Sequence, residues 1–255
     1  MTADKPKIAL ITGASRGLGK NTALSLAKKG VDAIVTYHNS SEEAKSVVCA
    51  IAELGAKAVA LQLDTSNTKT FDGFVEQVKQ SLQDKWQTEH LDFLVNNAGV
   101  GIHASFADTT EDDFDRLINI HVKGVFFLTQ KLLPLINDGG RIVNVSSGLT
   151  RFTLPGYAAY ASMKGAVEVL TRYMAKELGS RQIAVNVVAP GAIETDFNDG
   201  AVRDNPEINN FIASQTALGR VGVTDDIGGA IASLLSTENR WVNAQRIEVS
   251  GGQFI

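Results

Sequence analysis

The stretch Thr12-Gly13-Ala14-Ser15-Arg16-Gly17-Leu18-Gly19 decides the fold, because it joins a short apolar run to a segment with helical periodicity. Its glycines allow a sharp turn and let backbone N–H groups approach a pyrophosphate at the start of a helix. Three glycines alone are a weak signal in a chain that has 23 of them. The apolar run at residues 7–12 and the helical segment at 16–29 supply the required context, so the stretch predicts a dinucleotide-binding loop.

Outside this stretch, short apolar runs alternate with longer amphipathic segments. Continuous apolar runs are typical of strands that are buried on both faces of a parallel sheet. Their alternation with helices predicts right-handed crossovers and helices on both faces. We therefore expect an α/β fold, a single-domain doubly wound (Rossmann) three-layer sandwich with a seven-stranded parallel sheet, over residues 1–255. Strands are predicted at residues 7–12, 33–37, 58–63, 91–96, 141–146, 184–188 and 246–249, and helices at 16–29, 41–54, 68–85, 111–135, 157–178 and 224–235.

Composition and charge limit the possible partners. Apolar residues make up 44% of the chain and the formal net charge is -4, which leaves no concentrated positive field for nucleic acid or an anionic membrane. The single cysteine, Cys49, permits no intrachain disulfide. The polar start at residues 1–7 precedes an apolar run too short for a signal peptide, and no run approaches the roughly 20 residues of a membrane span. We expect a cytoplasmic protein without a nucleic-acid partner, membrane span or metal site.

Residues 192–220 form the one irregular region, rich in Asn, Asp, Gly and Thr, after the sixth predicted strand. Long segments at the carboxyl edge of such a sheet tend to be binding loops. We expect a substrate loop or lid at about residues 192–220.

A second group of chemistry-bearing residues contains Tyr160 and Lys164, which share one face of a predicted helix. A free tyrosine has a pKa of about 10, too high for efficient proton transfer near neutrality, and a nearby ammonium would lower it. Ser147 ends the fifth predicted strand, and Asn119 lies in the helix after the fourth. Each has an ordinary structural explanation when taken alone. Together with the glycine loop they predict catalysis.

The Gly-x-x-x-Gly-x-Gly spacing and these four residues resemble the short-chain dehydrogenase/reductase family over nearly the whole chain, with an overall similarity to 3-oxoacyl-carrier-protein reductases. The resemblance implies hydride transfer between a nicotinamide and a carbonyl or secondary alcohol carbon. It implies that Tyr160 donates a proton to the carbonyl oxygen while Ser147 binds that oxygen. It further implies that Lys164 lowers the tyrosine pKa and binds the nicotinamide ribose, and that Asn119 holds a water linked to Lys164. A homotetramer is implied by the same resemblance.

The end of the second predicted strand indicates which dinucleotide binds. An NAD site usually has a carboxylate there for the ribose 2′-hydroxyl, whereas residues 36–41 contain none. Arg16 could pair with a 2′-phosphate, so we expect NADP (as NADPH) rather than NAD. The resemblance also implies that Asp64 binds the adenine amino group and that Thr195 contacts a phosphate. The expected cofactor-binding residues are Gly13, Ser15, Arg16, Gly17, Leu18, Gly19, Tyr37, Asn39, Ser40, Asp64, Asn96, Ala98, Gly99, Tyr160, Lys164, Pro190, Gly191, Ile193 and Thr195.

Two other functions stay open. Tyr157 lies seven residues before Lys164, a spacing that resembles enoyl-thioester reductases, and a non-catalytic NADP-sensing regulator could use the same fold. An acidic carrier protein would favour a basic docking surface, to which Arg172 and Arg181 could contribute, whereas residues 137–140 offer no cation. The substrate itself is predicted only as a small, moderately hydrophobic carbonyl or alcohol compound. The residues expected to form the walls of the substrate pocket are Val100, Ile102, His103, Leu149, Phe152, Tyr157 and Phe197.

Overall fold

The computed structural model describes residues 6–255, so most of the polar start expected at residues 1–7 lies outside the described residues. Seven parallel strands form one sheet in the order β3-β2-β1-β4-β5-β6-β7, which confirms the predicted fold class. The strands are β1 (Ile8–Ile11), β2 (Asp32–Tyr37), β3 (Ala58–Gln62), β4 (Leu91–Asn96), β5 (Ile136–Val145), β6 (Ala184–Pro190) and β7 (Arg246–Val249).

Helices cover both faces of this sheet. The first strand shows why, since Ala9 and Ile11 pack in one core cluster and Ile8 and Leu10 pack in another on the opposite face. Helices α1, α2 and α9 contribute side chains to the first cluster, and α3, α5 and α6 contribute to the second. The α-helices are α1 (Gly17–Ala27), α2 (Ser41–Glu53), α3 (Phe71–Trp86), α4 (Glu111–Ile118), α5 (Val125–Leu132), α6 (Ala158–Glu177), α7 (Ala201–Asp204), α8 (Pro206–Ser214) and α9 (Thr224–Leu234).

The predicted helix at residues 111–135 is interrupted, which corrects the sequence prediction. A π-helical turn at Asn119–Gly124 separates α4 from α5. A Cβ at Gly124 would collide with the backbone oxygen of Thr65, so the glycine allows close packing at this turn. Such turns are frequent at functional sites, and hydrophobic periodicity does not reveal them.

The predicted irregular region after β6 contains two short helices, α7 and α8. Asn205 begins α8 by accepting hydrogen bonds from the N–H groups of Glu207 and Ile208, at 2.9 and 3.2 Å. Among the helices of residues 6–255, none is long and apolar enough to cross a bilayer.

The order of the strands determines where in the fold a ligand site is expected. Strand β1 lies between β2 and β4, so the chain leaves the sheet in opposite directions at the carboxyl ends of β1 and β4. This is the switch point at which doubly wound sheets bind ligands. The loops after β1, β4, β5 and β6 meet at this edge.

Candidate active site

A cavity of about 940 Å³ lies at the carboxyl edge of the sheet. It runs from the glycine loop after β1, past the ends of β4 and β5, to the segment after β6. Its volume is at the upper end of the range for small-molecule sites. Of the predicted cofactor and catalytic residues, those that line it are Gly13, Ser15, Arg16, Gly17, Leu18, Tyr37, Asn39, Ser40, Asp64, Ala98, Gly99, Ser147, Tyr160, Lys164, Pro190, Gly191, Ile193 and Thr195.

The glycine loop has the shape that a pyrophosphate requires. Gly13 and Gly17 have φ angles of 63° and 55°, in the left-handed region that favours glycine. A Cβ at Gly13 would lie 2.9 Å from the Cα of Ala98. A Cβ at Gly19 would collide with the carbonyl oxygen of Gly13, so Gly19 keeps α1 against the loop rather than facing the cavity. Gly19, which is predicted to bind the cofactor, is therefore packed against the loop and is not among the residues that line the cavity.

The start of α1 fits an anionic group. Arg16 precedes the helix and makes no side-chain capping bond, and the first turn carries no acidic residue. The first N–H groups of a helix lack partners within it and attract anions. These donors face the cavity through Gly17 and Leu18, which both line it.

The far end of the cavity is bordered by Arg16, Tyr37, His38 and Asn39. The Arg16 side chain is exposed and forms no ion pair with the residues described here. The carboxylate of Asp64 lies 3.8 Å from His38 Nε2. Although burial raises the pKa of Asp64, hydrogen bonds from the Ser66 hydroxyl and N–H hold it below its ordinary value. An unpaired guanidinium is thus available for a 2′-phosphate.

Ser147, Tyr160 and Lys164 meet at the base of the cavity. Ser147 follows β5 and begins a short 3₁₀ turn, where its hydroxyl accepts a bond from the Leu149 N–H at 3.2 Å. Tyr160 is in the first turn of α6, and Lys164 follows one turn later. The Lys164 Nζ lies 5.6 Å from the centroid of the Tyr160 ring and donates to the backbone oxygen of Val145 at 2.9 Å. The predicted association of these three residues is therefore observed.

Burial controls the protonation of this group. It raises the pKa of Tyr160, and a hydrogen bond with Ser147 opposes that rise only in part, so the expected lowering of this pKa by Lys164 is wrong for the free chain. Burial lowers the pKa of Lys164 to about 8. The phenol is therefore protonated at neutral pH, which is the form that can give a proton to a carbonyl oxygen.

Asn119, which is predicted to hold a water linked to Lys164, is not among the residues that line the cavity. Asn119 begins the π-helical turn, and Ile120 and His121 of the same turn line the cavity. The His121 Nε2 lies 2.8 Å from the carbonyl oxygen of Val100, and its ring packs edge-on against Tyr160 at 5.3 Å between centroids. Burial and the charge of Lys164 lower the pKa of His121 to about 3, so it is neutral. The sequence prediction missed His121 because a single histidine in a helical segment gives no signal.

Asn96 is a second residue that the sequence predicts to bind the cofactor and that lies outside the cavity wall. It is 5% exposed and does not line the cavity. Its amide donates to Thr129 Oγ1 at 3.0 Å and to Asn144 Oδ1 at 2.8 Å. Thr129 lies on α5, on the face of the sheet that carries the second core cluster. As the last residue of β4, it points into a helix-covered face, and Asn97 occupies the cavity wall in its place.

The remaining walls are largely apolar. Among the predicted wall residues, Val100, Leu149, Phe152, Tyr157 and Phe197 line the cavity. Ile102 and His103 do not, and His103 instead packs edge-on against Tyr157, with ring centroids 5.0 Å apart. The prediction missed Ile208 and Phe211, which α8 places in the wall.

The fold, the glycine loop and the Ser147–Tyr160–Lys164 group define a dinucleotide-dependent oxidoreductase. A family model described as "Enoyl-(Acyl carrier protein) reductase" matches residues 13–253. This chain belongs to the short-chain dehydrogenase/reductase family, and the predicted family is thereby confirmed.

Named relatives cover almost the whole chain. The hydroxynaphthalene reductase-like protein Arp2 of Metarhizium brunneum is 37% identical over 258 residues, which cover 96% of this chain and 94% of the relative. The structure of the promiscuous reductase LugOII, which catalyses keto-reduction at C1 during lugdunomycin biosynthesis, matches with a TM-score of 0.93 and 36% identity over 98% of each chain. The angucycline C-6 ketoreductase LanV, solved with bound NADP, matches with a TM-score of 0.92 and 35% identity, covering 97% of this chain and 95% of its own.

Proposed function

We propose that this chain reduces a ketone carried by a fused-ring aromatic compound, with NADPH as the hydride donor. At the level of the enzyme class, the chain is an NADP-dependent oxidoreductase that acts on carbonyl groups. The observation that carries the proposal is the position of Tyr160 and Ser147 at the base of a cavity with aromatic walls. Flat aromatic substrates pack well against such rings. The relatives whose names mention hydroxynaphthalene and angucycline reduction support the same substrate class.

The chain's own residues fit the cofactor along the whole cavity. The glycine loop and the start of α1 would hold the pyrophosphate, and Arg16 would pair with the 2′-phosphate. Lys164 uses one N–H on Val145, which leaves its other two donors for the nicotinamide ribose. A bound nicotinamide supplies the hydride.

Tyr160 and Ser147 act on the carbonyl oxygen. Tyr160 donates its phenolic proton to the oxygen as negative charge develops there, and the Ser147 hydroxyl donates a hydrogen bond that orients the oxygen. Burial keeps Tyr160 protonated before the reaction. The Lys164 ammonium then stabilises the phenolate that remains.

The segment after β6 supplies part of the cavity wall, which supports its role as a lid. Phe197, Ile208 and Phe211 line it, and Asn198 Nδ2 donates to the Tyr157 hydroxyl at 3.3 Å. We assign residues 192–220 as the substrate lid of one NADP-binding domain that spans residues 1–255.

A homotetramer and a cytoplasmic location belong to the proposal as well. Exposed apolar side chains on α5 and α6 support an assembly between copies, and the single cysteine agrees with a reducing compartment. Light scattering after size exclusion measures the assembly mass. The exposed side chains are Phe126, Phe127, Val169 and Tyr173.

Enoyl reduction is the second candidate, because the matching family model carries that description and Tyr157 lines the cavity. The geometry favours Tyr160, since its ring packs beside the Lys164 ammonium and Tyr157 is engaged by Asn198. A non-catalytic sensor of NADP would oxidise NADPH with none of the compounds tested.

A substrate panel tests these functions. NADPH oxidation is followed with a fused-ring aryl ketone, acetoacetyl thioester and crotonyl thioester, each repeated with NADH. The proposal expects kcat/KM for the fused-ring ketone to exceed that for acetoacetyl thioester by about tenfold or more, the worth of one or two aromatic contacts. Preferred turnover of crotonyl thioester would reject ketoreduction, and preferred turnover of acetoacetyl thioester would reject the aromatic substrate class.

A further inference from the structure

A cluster of charged side chains contacts the turn that carries Ser147. We propose that Glu168 and Arg246 are positioning residues that fix the Ser147 hydroxyl for the reaction. Neither is among the residues that line the cavity, so both act through other atoms. The inference rests on the proposed ketoreduction, because it assigns a task to a residue of that reaction.

Glu168 binds the chain on both sides of Ser147. One carboxylate oxygen, Oε1, accepts from Ser146 Oγ at 2.7 Å and from Thr150 Oγ1 at 2.7 Å. Hydrogen bonds to an ionised acceptor are about twice as strong as neutral ones. Because the two donors flank Ser147 in sequence, a single carboxylate restrains the backbone that carries the Ser147 hydroxyl.

Arg246 adds a direct contact with Ser147. Its Nη2 donates to the backbone oxygen of Ser147 at 3.3 Å and to Thr150 Oγ1 at 3.0 Å. Its Nε donates to the same Glu168 oxygen at 2.8 Å. Three contacts from one planar guanidinium require its fixed fork, and a lysine ammonium cannot reproduce them.

The pair is partly enclosed, so solvent screens it less than a surface ion pair. The exposed fraction of the side chain is 13% for Glu168 and 24% for Arg246. Glu168 lies on α6, one turn after Lys164. The contacts therefore join Ser147 to the helix that carries Tyr160 and Lys164. Small errors in the relative position of such groups lower the rate strongly.

The same cluster reaches the other side of the cavity. Arg246 Nη1 pairs with Glu248 at 3.0 Å, and Glu248 binds Arg151 through both carboxylate oxygens. Arg151 donates to the backbone oxygen of Gln253, whose side-chain oxygen accepts from the Ala192 N–H at 2.9 Å. Strand β7 and the residues after it thus connect the Ser147 turn to the chain that follows β6.

A matched pair of arginine variants tests the inference. Arg181 is the control, since it also pairs with a carboxylate, Asp138, and donates to a backbone oxygen, that of Leu133, but lies at the opposite end of β5. We expect Arg246→Lys to lower kcat for the ketone about tenfold with KM for NADPH unchanged, the loss that follows from a misplaced reacting group. Arg181→Lys should leave both constants unchanged. Equal effects of the two substitutions overturn the inference.

Combining Arg246→Lys with Ser147→Ala distinguishes a positioning role of Arg246 from a general loss of structure. If Arg246 acts through Ser147, Arg246→Lys should cause no further loss in kcat when added to Ser147→Ala. A full additional tenfold loss in that background contradicts the inference. Glu168→Gln, which keeps the shape and removes the charge, is expected to follow the same pattern.

Hydrogen exchange gives a readout that does not depend on activity. Arg246→Lys should speed exchange in the peptide 145–152 while the rest of the sheet keeps its rates, and Arg181→Lys should not. If the unmodified enzyme reduces no ketone, the proposed function fails, yet exchange still decides whether Arg246 orders the Ser147 turn. Unchanged exchange in this peptide overturns the inference by itself.

Discussion

The ammonium of Lys164 donates a 2.9 Å hydrogen bond to the backbone oxygen of Val145, two residues before Ser147. This contact fixes the buried lysine beside Tyr160, with its Nζ 5.6 Å from the centroid of the phenol ring. A positive charge is thereby held where a phenolate forms during reduction.

The first prediction concerns pH. Burial lowers the pKa of Lys164 to about 8, so its charge is lost near that pH rather than near its ordinary value of about 10.4. We expect kcat/KM for ketone reduction to be level through neutral pH and to fall above about pH 8. Lys164→Arg keeps its charge throughout and should lose this alkaline decline, although its rate is lower. A decline of the unmodified enzyme that begins only near pH 10 would contradict the assignment.

The second prediction concerns the proton donor. Tyr160→Phe keeps the ring and removes the hydroxyl, so kcat should fall by about 10²–10⁴-fold while the dissociation constant for NADPH stays within a factor of about two. Steady-state rates and fluorescence titration measure the two quantities. Tyr157→Phe is the matched control and should retain ketone reduction within a few-fold. The reverse ranking of the two variants would assign proton donation to Tyr157.

The third prediction concerns the 2′-phosphate. Arg16→Ala removes an exposed guanidinium at the cavity end, where charge-assisted bonds are worth about 1.5–3 kcal/mol. KM for NADPH should rise by about 10–150-fold, with KM for NADH nearly unchanged. Lys20→Ala, which removes an exposed cation of α1 outside the cavity, is the control. An equal rise in KM for NADPH and NADH would show that Arg16 does not bind the 2′-phosphate.

Some parts of the site were predictable because local geometry dictates them. The turn requires positive φ at Gly13 and Gly17, so the sequence shows glycines at this spacing. Tyr160 and Lys164 share one face of a helix, so they are four residues apart in the sequence. The seven strands were predictable because their continuous apolar runs mark burial on both faces.

Other parts depend on contacts between distant segments. The π-helical turn at Asn119–Gly124, which carries His121 to the cavity wall, packs Gly124 against the backbone of Thr65, and no periodicity in the sequence records that contact. Asn96 and Asn97 are adjacent polar residues, and only the exact end of β4 decides which one faces the cavity. Helix α8 is too short to be distinguished from a loop by its sequence pattern.

The last prediction concerns His121 and stability. Burial and the charge of Lys164 lower its pKa to about 3 in the folded chain, whereas an unfolded chain has an ordinary value of about 6.5. Between these values the unfolded state binds more protons, so the free energy of unfolding falls as the pH decreases below about 6.5. From pH 7 to pH 5 this group alone should cost about 2 kcal/mol.

His121→Phe removes the titrating group and keeps an aromatic ring beside Tyr160, where the present ring centroids are 5.3 Å apart. It also leaves the carbonyl oxygen of Val100 without its 2.8 Å partner, which should cost about 1 kcal/mol at pH 7. Urea unfolding at fixed protein concentration should therefore show a less stable variant at pH 7 whose stability falls less towards pH 5. The exposed His90 is the control, since His90→Gln should keep the pH dependence of the unmodified chain. Parallel pH curves for His121→Phe and the unmodified chain would show that His121 takes up a proton equally well in the folded and unfolded states, contrary to its enclosed position between Val100 and Tyr160.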